Sequence, residues 1–104
     1  MRSALVVLMA VAASPAQANW TFCVAESGQD IWISDVFPAT HKRERLEAEF
    51  AALLRSRGVV RPVAQCPAPL NDKMDVFNAQ FTAVEFHRKL GETLHVVEMP
   101  ERVR

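Results

Sequence analysis

From Asn71 to Leu90 the chain reads NDKMDVFNAQFTAVEFHRKL, and its apolar positions recur at helical spacing on two faces. Met74, Phe77, Phe81 and Val84 follow i, i+3, i+7, i+10. Val76, Ala79, Ala83, Phe86 and Leu90 form a second face, turned by roughly 150° from the first at ~100° per residue. Lys73, Gln80 and His87 make a polar seam between the two, while Asp75, Asn78, Thr82, Glu85 and Lys89 form the solvated side. Asn71 or Asp72 supplies the N-cap and Gly91 the stop. A helix of this kind buries both apolar faces or offers one to a partner. The seam falls where burial should be greatest, and an unpaired polar atom there costs ~1–3 kcal/mol. The second face is therefore the candidate interaction surface: Val76, Ala79, Ala83, Phe86 and Leu90, bordered by Gln80 and His87.

The rest of the chain predicts what covers that helix. Trp20 to Glu26 alternates, with Trp20, Phe22 and Val24 on one side, and Ile31 to Phe37 is rich in β-branched and aromatic residues. Ser27-Gly28-Gln29-Asp30 between them is a turn, so the two runs predict a β-hairpin. Ile31, Ile33 and Phe37 share a side with Asp35, which the strand-end position assigns to the sheet rim. A helix follows from His41 to Arg57, ended by Gly58, with Leu46, Phe50, Leu53 and Leu54 as its core stripe. Its first turn carries His41, Lys42, Arg43 and Arg45 against the helix dipole. An anion-binding helix end is one reading; the preferred one is that Arg43–Glu47 and Arg45–Glu49 form i,i+4 pairs on a solvated face. Val59 to Cys66 is extended, with Pro62 suited to an edge. Pro67 to Leu70 is a stiff connector, and Thr93 to Met99 is the last strand.

The order β-β-α-β-α-β predicts an α+β fold, a small two-layer sandwich with both helices on one face of a three- or four-stranded sheet. One domain would span residues 19–99, with residues 100–104 a disordered tail. Ahead of it, MRSALVVLMAVAASPAQA has a positive start, a short apolar core and an Ala-Gln-Ala cleavage site, which reads as a secretory signal peptide over residues 1–18. The apolar run is too short for a ~30 Å hydrocarbon core. Cleavage leaves 86 residues with eleven Lys and Arg against 12 Asp and Glu, a formal charge of −1. Near neutrality argues against nucleic acid and against an anionic membrane surface as partners.

Export also changes the reading of Cys23 and Cys66, the only two cysteines. Such a pair in an oxidising compartment is expected to form a structural disulfide, and 42 intervening residues are unlike a C-x-x-C redox motif. No zinc-ligand spacing, Gly-rich phosphate loop or nucleophile elbow is present, so no catalytic residue, cofactor or metal is assigned. The histidines, His41, His87 and His95, fall on three separate elements. The expected protein is a small periplasmic or secreted binding module of the bacterial cell envelope, disulfide-stapled, without a catalytic motif and acting by protein contact. Two other readings stand beside it: a ligand-binding protein or enzyme with a pocket near His87 and His95, and a structural subunit of a homo-oligomer.

Overall fold

The computed structural model describes residues 19–104, so the leader reading lies outside the described residues. Each run of the expected hairpin is split in two. β1 (Trp20–Thr21) and β2 (Val24–Ser27) replace the first, and β3 (Asp30–Ser34) and β4 (Phe37–Pro38) replace the second. Two hydrogen bonds mark the break: Cys23 N donates to the buried Ser34 hydroxyl at 2.8 Å, and the backbone N–H of Asp35 turns to Val97 O at 3.2 Å. β1 and β4 then pair as a separate antiparallel ribbon, and Leu70 closes on Trp20 through two backbone hydrogen bonds. Phe37 consequently leaves the side it would share with Ile31 and Ile33 and enters a different core. The β2–β3 turn is tight, with Ser27 opposite Asp30 and Gly28 at φ +62°. A left-handed first loop position suits glycine in such a hairpin.

α1 (Arg43–Ser56), β5 (Val63–Gln65), α2 (Lys73–Lys89) and β6 (Thr93–Val97) complete the fold. The main sheet has the order β5-β2-β3-β6, with β3–β6 parallel and the other two pairs antiparallel. The protein is a small α+β fold with a Cys23–Cys66 disulfide. The helices depart from expectation in their placement, because they lie on opposite faces of the sheet. Leu46, Phe50 and Leu54 of α1 pack with Ala25, Ala64, Trp32 and Val97 around the disulfide. Val76, Ala83 and Val84 of α2 pack with Val24, Ile31, Ile33 and Leu94. Neighbours along each strand point to opposite faces, so these two sets are the two sides of one sheet. The strand order supplies the reason. The crossover through α1 runs from β3 to β5 in one direction, and that through α2 runs back from β5 to β6. Crossovers of the same hand that travel in opposite directions place their helices on opposite faces.

The C-terminal residues also differ from the expected loose tail. Glu101–Val103 form a 3₁₀ turn, and Val103 is fully buried in the α1 core. Asp35, which its strand-end position assigns to the rim, is the anchor for this segment. Its carboxylate accepts from Met99 N at 3.0 Å and pairs with the Arg104 guanidinium at 2.5 Å. The hydrogen bond and the charge of Asp35 raise the pKa of Arg104 above its usual value. Arg102 adds a 2.7 Å contact with Glu49. Among the described residues no helix is long and apolar enough to cross a membrane.

Candidate functional site

The polar seam of α2 is the line that faces the sheet, and each of its members is satisfied there. Gln80 Nε2 donates to Ser34 O at 2.7 Å, across the point where β3 gives way to β4. Lys73 places its ammonium 4.4 Å from the centre of the Trp20 ring. His87 Nδ1 is hydrogen-bonded to Glu92 Oε1 at 2.6 Å, with Glu26 Oε2 at 3.5 Å. Asp72 caps the helix by accepting from Met74 N at 2.8 Å. With the seam pointing inward, the two apolar faces become the flanks of the helix. Val76 is buried and Ala83 and Val84 are half-buried, but the outer residues of both flanks reach solvent. Met74, Phe77 and Phe81 are exposed on one side, and Ala79, Phe86 and Leu90 on the other.

The expected interaction face is thus divided. Val76, Ala83, Gln80 and His87 belong to the packing against the sheet, and Phe86 and Leu90, at 58% and 56% exposure, carry its accessible part. Beside them, between α2 and the β2–β5 half of the sheet, lies a cleft of about 380 Å³. It is lined by Phe22, Val24, Gln65, Pro67, Ala83 and His87. A recess of about 260 Å³ adjoins it, bordered by Phe86, Val63 and Glu26. Arg43 and Glu47 enter the cleft from α1, around the edge of the sheet.

The charge pairing expected on α1 is not formed. Glu47 accepts from Cys66 N at 2.9 Å and Glu49 is engaged by Arg102. Among the described residues neither Arg43 nor Arg45 has a carboxylate within salt-bridge distance. Arg43 therefore brings to the cleft a guanidinium with no salt-bridge partner among the described residues, beside Glu47, whose carboxylate is held by Cys66 N. The basic first turn marks this residue in the sequence, but nothing there marks its meeting with Phe22, Gln65 and Pro67.

His87 and His95 do not share a site. His95 projects from the α1 side of the sheet, stacked on Trp32 at 4.9 Å between ring centres and bonded to Asp30 at 2.9 Å. His41 is half-buried in the loop before α1. The donor atoms of Glu26, His87 and Glu92 do converge, all within 4.8 Å of one another. Such a set has the mixed nitrogen and oxygen chemistry that a first-row divalent cation accepts. A tetrahedral ion needs donors about 3.3 Å apart. The 3.5 Å pair meets that, whereas the 2.6 Å hydrogen bond that fastens the end of α2 to Glu92 would have to open. No protein-family model, curated protein or solved structure matches this chain.

Proposed function

We propose that the protein is a small exported binding module of the bacterial cell envelope, stapled by its disulfide and acting by protein contact. The observation that carries this reading is the cleft beside Phe86. It offers apolar walls from Phe22, Val24 and Ala83 and a single unpaired cation at Arg43, flanked by an exposed aromatic anchor. Binding sites of this kind combine apolar burial with one or two oriented polar groups. The occupant is a chain segment that inserts one apolar side chain and directs one carboxylate at Arg43. The leader-like residues 1–18 and the oxidised cysteine pair support export. A free small acid is the second reading, favoured by a cleft volume within the range small ligands use.

The test is selection of binding peptides from a random library against residues 19–104, followed by amide chemical-shift mapping. The expected result is a shared apolar-plus-acidic motif, shifts centred on Val24, Gln65, Ala83 and Phe86, and loss of binding in Phe86→Asp and Arg43→Ala. Peptides that map elsewhere, or no selectable peptide, would overturn the proposal. Small carboxylic acids giving the same shifts where no peptide does would favour the second reading.

A further inference from the structure

We propose that a second copy of this chain docks on the β6 side of the molecule, pairing β6 with β6 and α2 with α2 about a two-fold axis. The surface is separate from the Phe86 cleft, so the proposal goes beyond the function argued above.

The two edges of the sheet are unlike. β5 is three residues long and is flanked by Pro62 and, after Cys66, Pro67, and the amide of Cys66 is occupied by Glu47. Short length, flanking prolines and a capped amide are what keep an edge from recruiting another strand. β6 has none of these. It pairs with β3 in unbroken register from Thr93 to Val97 and contains neither proline nor an acidic or basic residue other than His95. Thr93 N bonds to Gln29 O and Val97 O accepts from Asp35 N, so the odd-numbered residues direct their backbone inward. In a parallel ladder the alternate residues, Leu94 and Val96, then turn N–H and C=O to the open edge. An edge strand of this length is a template for an added strand.

The neighbouring flank of α2 continues this surface. Phe86 borders the β2–β5 half of the sheet, so Met74, Phe77 and Phe81, on the other side of the helix, lie toward β6. Val96 points to the same face, opposite Ile33 in the α2 core. Val96 is 70% exposed, Phe81 65% and Met74 62%.

A second copy fits for three reasons. Antiparallel β6–β6 pairing satisfies both edges with identical groups, the self-complementarity that a two-fold interface requires. The same operation sets α2 antiparallel to its copy. The flank of each helix that carries Phe77 and Phe81 is then turned toward the other copy. Finally, a formal charge of −1 over residues 19–104 leaves almost no net repulsion between copies.

The experiment is the solution mass of oxidised residues 19–104, which contain every core residue described above, by light scattering over a dilution series. At about 100 μM, where a micromolar dimer is almost fully assembled, the mass should be twice that of the chain. Phe81→Asp should raise the dissociation constant by about 100-fold or more, since it places a charge in an apolar interface. Val96→Pro, which removes one outward N–H without touching the β3 ladder, should also give monomer. Far-UV circular dichroism must match the wild type in both, and Phe86→Asp should remain dimeric. A wild-type monomer at that concentration, or a dimer that survives both Phe81→Asp and Val96→Pro, would overturn the proposal. So would a dimer lost only in Phe86→Asp. Peptide binding at the cleft is scored independently, so either proposal can fail alone.

Discussion

Removing the Cys23–Cys66 bridge should be the most damaging conservative change available to this chain. The cysteines are 43 positions apart and both are buried, at 0% and 3% exposure, in the core beneath α1. Cross-linking a loop of about 44 residues removes denatured-state entropy worth ~4 kcal/mol at 25 °C. The total stability of small domains is about 5–15 kcal/mol, and a chain of this size sits toward the lower end. Cys23→Ala/Cys66→Ala should therefore leave a marginal fold. The assay is urea unfolding followed by the fluorescence of Trp20 and Trp32. With a slope near 1 kcal/mol/M for a small domain, the midpoint should fall by roughly 3–4 M. Alanine is the informative replacement, because serine would bury a hydroxyl with no partner. A midpoint that falls by less than about 1 M, at unchanged slope, would refute the loop-entropy reasoning. The bridge would then be a passenger of a core that Leu46, Phe50 and Leu54 already hold.

Deleting residues 100–104 should cost about 2–3 kcal/mol, because Val103 alone forfeits the burial of a full apolar side chain; a thermal midpoint within error of the intact protein would restore the loose tail. Gln80→Leu should cost ~1–2 kcal/mol by leaving Ser34 O without its donor, measured as a urea midpoint shift, and Gln80→Glu should cost more by opposing a carboxylate to a carbonyl.

The elements themselves were readable from the sequence. The alternation of Trp20, Phe22 and Val24, the stripe of Leu46, Phe50 and Leu54, and the limits set by Asp72 and Gly91 all correspond to what forms. Each is a local property, set by period and capping. What could not be read is which way the chain travels across the sheet. Nothing near His41 or Asn71 states that β5 will sit beside β2 and β6 beside β3, and that order alone decides the helix faces. The split of the hairpin hides for a similar reason. Ser34 reads as an ordinary polar strand residue until its hydroxyl is found on Cys23 N, 11 positions away. Val103, four residues beyond a proline-broken strand, carries no periodic signal at all. The cleft was the least legible feature, since Phe22, Arg43, Gln65 and Ala83 come from four distant segments.

The misplaced helix and the exposed apolar flanks have one cause. Four strands at ~4.8 Å spacing make a sheet nearly 20 Å wide, whereas a helix with its side chains is about 10–12 Å across. Two helices side by side would cover one face and close the flank of α2 that met its neighbour. With α1 on the other face, α2 covers only the middle of its own. A strip remains on each side: the cleft bordered by Phe86 toward β5, and the surface of Phe81 and Val96 toward β6. The two-faced pattern of α2 is therefore half core and half surface. Its seam meets the sheet through Gln80 and His87, and the residues farthest from the seam are exposed along the two strips. Phe81 and Phe86 bury little of their surface within this chain, which is why each is the first residue to change in testing the two proposals.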